Sequence, residues 1–217
     1  MADETSPVDG YRQFFSLSGD MFVLSLAMFA FSLGFQMTTR FLPEYLRVLG
    51  ASGFVIGLFG TVGNLISAAY PYPGGAISDR LGSRYALTLF GAASTLGFLF
   101  WFVAPTFGAV TVAGVTIPAW AWVFVGLVLA QAWKSFGLGA TFAVVKQSVP
   151  PGRLARGFAS TETFRRSAFL LGPVAAAGLL SLHPEFTVGF RYVLGVAVVG
   201  GGVATAVTAV GRSVFIL

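Results

Sequence analysis

The sequence predicts an all-α integral membrane protein: six transmembrane helices with both chain ends on the inner side. Charge is the first observation behind this. Only 13 basic and 8 acidic residues occur in 217, or 10% of the chain, whereas soluble domains carry about 25%. That is too little to coat a water-facing surface, and the mean hydropathy of +0.82 agrees. Spacing is the second. Uncharged intervals at 21–39, 48–78, 85–133, 167–184 and 192–211 hold 19, 31, 49, 18 and 20 residues, against the ~20 that a helix needs to cross the hydrocarbon. Pattern is the third. Runs such as Phe98-Leu99-Phe100-Trp101-Phe102-Val103 lack the apolar–polar alternation of barrel strands.

The elements follow in order. Residues 1–19 are polar and lack the basic n-region and short apolar core of a signal peptide. They are expected as a polar cytoplasmic segment ahead of a six-helix domain over 20–212, with 213–217 as a tail. The first two helices are expected at about 20–46 and 53–76, the second kinked at its inner end by Tyr70-Pro71-Tyr72-Pro73, and the third at 84–104. The 49-residue interval is too long for one span. It divides at Pro105 to Pro118, whose prolines and glycines suit a loop. The fourth helix then runs 119–146 through Lys134, and the last two cover 157–181 and 188–211. With the N-terminus inside, the inner segments hold Arg12, Arg80, Arg84, Lys146, Arg153, Arg156 and Arg212, and the outer ones only Arg47 and Arg191. Seven basic residues against two orient the chain N-in and C-in.

Several function classes fall away. With no cysteine, the chain cannot build a disulfide framework, a thiolate zinc site or a cysteine nucleophile. A single histidine, His183, leaves no histidine cluster for a metal. Neither a nucleotide-binding G-x-x-x-x-G-K-(S/T) nor H-E-x-x-H nor G-x-S-x-G is present. The expectation is a non-enzyme without cofactor or metal. The charges punctuate apolar runs and form no basic soluble face, so nucleic acid is not an expected partner.

Between helices two and three the sequence reads Gly75-Ala76-Ile77-Ser78-Asp79-Arg80-Leu81-Gly82-Ser83-Arg84. Read from the residues, this is a tight charged turn in which Gly75 and Gly82 allow close approach. Asp79 is expected just before helix three, where the helix dipole favours a carboxylate. The segment resembles the signature loop of the major facilitator superfamily, G-x-L-(A/S)-D-R-x-G-(R/K)-(R/K). Gly75, Ser78, Asp79, Arg80, Gly82 and Arg84 match, and Ser83 departs where a basic residue is usual. Leu42 to Ser52 with Ile56-Gly57 is similar to the end of helix one in that superfamily. A second match lies in helix five, where Ala168 to Ala177 with an intact Gly172-Pro173 resembles the antiporter motif G-x-x-x-G-P-x-x-G-G; Ala168, Ala176 and Ala177 replace glycines. A packing kink is the simpler account of that pair.

The resemblance implies the N-terminal half of a twelve-helix fold built from two six-helix halves. It further implies secondary active transport of a small solute across the plasma membrane by alternating access. The signature loop, with Gly75, Asp79, Arg80, Gly82 and Arg84, would latch the halves; a role in topology alone is the simpler reading of Arg80 and Arg84. The expected partners are the bilayer, the solute, and a second six-helix half or a homodimer partner. The alternative is a non-transporting half-size subunit that pairs with a partner.

Ionisable groups at membrane depth cost a few kcal/mol and usually face a cavity or a partner. Lys134 has about a dozen span residues on either side, which suits a cavity-facing cation or an internal ion pair. Gln36 and Arg40 are four apart and are expected to share a helix face; Arg40 either meets solute or snorkels outward. Asn64, Ser67 and Tyr70 supply hydrogen-bonding groups, and Gln131 is a polar group expected on an unpaired surface. The substrate-binding candidates are thus Gln36, Arg40, Asn64, Gln131 and Lys134. Glu162 and Arg166 form an i,i+4 pair, with Arg165 expected to point elsewhere. Four basic residues against one acidic at this depth suit an anionic solute.

Overall fold

Proline and glycine decide where the helices break. The computed structural model describes residues 19–112, 114–134, 142–146 and 149–210; of the expected terminal segments 1–19 and 213–217, all but Gly19 lie outside the described residues. The helices are α1 (Gly19–Thr38), α2 (Leu42–Val48), α3 (Gly53–Ala69), α4 (Pro71–Leu81), α5 (Ser83–Phe107), α6 (Ala119–Ala132), α7 (Leu154–Leu180) and α8 (Phe186–Val210). Residues 142–146 are also helical.

The first expected helix, 20–46, is two helices meeting at 49°. Pro43 sits in the first turn of α2, where a ring without an N–H is tolerated but cannot continue the preceding helix. Thr38 and Thr39 turn their hydroxyls back onto the carbonyls of Gly34 and Phe35, at 2.8 and 2.7 Å. The second expected helix also divides. α3 and α4 meet at 44° at the Tyr70-Pro71-Tyr72-Pro73 run, and α4 continues through the expected turn to Leu81. Gly82 alone separates α4 from α5, at φ +82° and ψ 145°. In place of the loop expected over 105–118, α5 extends to Phe107, and Val110–Val112 (β1) pairs antiparallel with Val115–Ile117 (β2).

Two described spans, Tyr85–Phe107 and α8, are long and apolar enough to cross a membrane, or four if each bent pair counts as one. α1 packs along α7 and α8, while α5 packs along α6 and α8. α3 lies on α6, and α4 on α5. Lipid tails are as apolar as leucine, so such contacts rest on close packing and internal hydrogen bonds more than on expulsion of water. Both are visible. Tyr45 donates to the Trp101 carbonyl at 2.7 Å, and the Trp101 indole donates to the Val123 carbonyl at 2.9 Å. Thr95 and Thr205 share a hydroxyl contact of 3.3 Å between α5 and α8, where a Cβ on Gly201 would fall 2.9 Å from Thr95 Oγ1.

Candidate functional site

At the end of α6 the helix changes pitch. Trp133 and Lys134 form a π turn, a local geometry made when a group inserts into the i→i−4 ladder. The inserted group is the Ser94 hydroxyl of α5. It donates to the Ala130 carbonyl at 2.7 Å and accepts from the Trp133 N–H at 2.8 Å. It also stands 3.5 Å from the Leu129 carbonyl, the acceptor Trp133 would use in an unbroken helix. Trp133 is buried and stacks on Phe31 of α1, centroids 4.2 Å apart. Lys134, the next residue, is exposed. An anchored tryptophan thus sets a cation about 22 Å along the helix from Ala119, at 1.5 Å per residue.

α3 contributes the neighbouring groups. Gln131 is 7% exposed and donates to the Gly63 carbonyl and Ser67 Oγ at 3.3 and 3.4 Å. It was expected on an unpaired surface; the helix-to-helix contact at Gly63 buries it instead, because a glycine lets the two backbones close in. Its Oε1 has no partner among the described residues. Tyr70 donates to the Val128 carbonyl at 3.2 Å. Ser67 and Tyr70 therefore fasten α3 to α6, while Asn64 is exposed.

Gln36 and Arg40 do not share a helix face, because α1 ends at Thr38 and Arg40 lies in the turn beyond it, exposed. Gln36 is instead brought to Gly172 of α7. A Cβ on Gly172 would fall 2.5 Å from Gln36 Cβ and 3.2 Å from its carbonyl carbon. The Gly172-Pro173 step is thus where α7 approaches α1 most closely among its glycines. Gly172→Ala is expected to part α1 from α7 and lower the melting temperature in detergent, whereas Gly178→Ala, with open space around it, is expected to leave it unchanged. Toward the other end of α7, Glu162 accepts from Arg166 Nε at 2.7 Å and from Arg165 Nε at 2.7 Å. Arg165 was expected to point elsewhere. It folds back at i+3, with its guanidinium over the Phe169 ring at 5.4 Å, because one carboxylate has acceptor sites for both arginines.

Asp79 does not sit at the N-terminus of a helix. Gly74 and Gly75 do not stop α4, which runs on to Leu81, and Asp79 lies in its last turn, exposed, at the end where the dipole disfavours a carboxylate and favours Arg80. Arg80 is likewise exposed, Gly75 has open space around it, and Arg84 is the second residue of α5. Ser94 was not anticipated from sequence, nor was the α5–α6 crossing, where a Cβ on Gly97 would fall 2.7 Å from the Gly126 carbonyl oxygen. A Ser-Thr pair in an apolar run, with glycines one turn away on either side, was the available signal.

No family model matches the chain. Two curated relatives, both from Mycobacterium tuberculosis, are similar: an uncharacterized MFS-type transporter of strain H37Rv and a putative uncharacterized MFS-type transporter of strain CDC 1551. Each is 29% identical over 167 residues, which is 76% of this chain and 36% of the relative. The chain therefore spans about a third of the length of the curated relatives it matches.

Proposed function

We propose that the chain is the N-terminal six-helix half of a secondary active transporter of the major facilitator type, multi-pass in the plasma membrane, N-in and C-in. The observation that carries this reading is the Gly75–Arg84 segment, in which Gly82 alone turns one helix into the next and leaves Asp79 and Arg80 exposed at the break. The names of the two relatives support it at family level. A second six-helix half, whether a continuation of this chain, another chain or a second copy, completes the solute path. Lys134 and Arg40 give that path its preference for an anionic solute, and Gln36, Asn64 and Gln131 line or support it. Flux of an anion panel into proteoliposomes of the native assembly tests the reading; a non-transporting subunit would give none.

The latch has its own test. Asp79→Asn is expected to favour inward-facing states and to depress transport, with insertion unchanged because Arg80 and Arg84 still orient the chain. The chain has no cysteine, so one introduced at Asn64 reports alone. Its labelling from the outer side should fall in the Asp79→Asn protein; unaltered labelling would leave the segment with topology only.

A further inference from the structure

A cavity of about 660 Å³ lies where α5, α7 and α8 meet, away from the groups described above. One stripe of α8 forms its floor: Arg191, Tyr192, Gly195, Val196, Val199 and Gly200, at i, i+1, i+4, i+5, i+8 and i+9. These repeats keep one face of a helix. Gly195 and Gly200 deepen it, since a Cβ at Gly200 would meet nothing within 4 Å and one at Gly195 only Phe102, at 3.7 Å. The walls are apolar, and Arg191 is the single charged group in the lining. Its guanidinium lies over the Phe102 ring at 5.2 Å, and it enters no ion pair among the described residues.

We infer that this groove seats one phospholipid with an anionic headgroup, its phosphate on Arg191 and an acyl chain along Gly195 to Gly200. The inference rests on the membrane reading above. Charge complementarity names the headgroup, because an exposed guanidinium beside an aromatic ring offers its N–H fork to a phosphate. Length names the chain. Arg191 to Gly200 covers about 14 Å of helix, close to one leaflet of the ~30 Å hydrocarbon core. The cation stands at the end of a candidate membrane span and the glycines lie within it, the order of a lipid's own parts. Tyr192 beside Arg191 has the amphipathic ring that settles at the headgroup level.

Native mass spectrometry of the detergent-solubilised protein, titrated with phosphatidylglycerol and phosphatidylcholine, tests this. Wild-type protein is expected to retain one phosphatidylglycerol in preference to phosphatidylcholine. Arg191→Gln should weaken that lipid about tenfold, the worth of one charge-assisted contact, and erase the preference, while Arg191→Lys keeps part of it. Gly200→Leu should lower retention of both lipids by filling the acyl seat. Equal retention by wild type and Arg191→Gln overturns the site, as does high-yield disulfide formation between Val199→Cys copies in native membranes, which would mean that protein covers the groove. Release of the chain by alkaline carbonate would overturn the membrane reading instead, so the two failures are distinct.

Discussion

A single methyl group at Gly97 is expected to cost the fold about 3 kcal/mol or more, at the upper end for overpacking. A Cβ there would fall 2.7 Å from Ala130 Cα and 2.7 Å from the Gly126 carbonyl oxygen, both backbone atoms. Backbone cannot rotate aside as a flexible side chain can, so α5 and α6 must separate. Separation breaks more than one contact. Ser94 lies one turn before Gly97 and holds Ala130 and Trp133, and the Trp101 indole bonds to Val123 one turn beyond. Gly97→Ala protein should show a much lower melting temperature in detergent and a loss of the buried tryptophan fluorescence signature. Gly178→Ala is the control, since both changes raise helix propensity equally and only one meets a neighbour. Equal melting of Gly97→Ala and wild type would mean that the α5–α6 crossing is looser than the structure has it.

Lys134→Met is expected to abolish transport of an anionic solute while leaving the fold intact. The side chain is exposed, so its removal opens no cavity and orphans no buried partner. Methionine keeps the length and makes insertion easier, because a lysine at membrane depth costs a few kcal/mol. Lys134→Arg keeps the charge and should retain part of the flux. Ser94→Ala separates position from charge: it removes the hydroxyl that splits the ladder at Trp133, and the π turn is expected to relax toward α geometry. A relaxed turn swings Lys134 round the helix by a fraction of a turn, so flux should fall with the lysine still present. Flux equal to wild type from Lys134→Met, at matched amounts in the membrane, would remove the cation from the solute path.

Composition was enough to read a helical membrane protein, and the prolines and glycines to locate some of its breaks. Sparse charge and long apolar runs are statements about solvent, which every residue meets independently of its partners. Pro43, Pro71 and Gly82 act on their own backbone through a missing N–H or a positive φ, so their effect is written locally; the bend at Pro71 was legible, the one at Pro43 was not. The hairpin at Val110–Ile117 escaped notice because its Val-Thr-Val and Val-Thr-Ile strands are only three residues each, below the length at which alternation stands out. Tertiary structure alone decided the rest. Whether Gln131 faces lipid or Gly63, whether Gln36 pairs with Arg40 or rests against Gly172, and whether Ser94 opens α6 all depend on which helices meet and at what height. In an apolar solvent those meetings are set by steric fit between small residues far apart in the chain, and no local pattern carries that information.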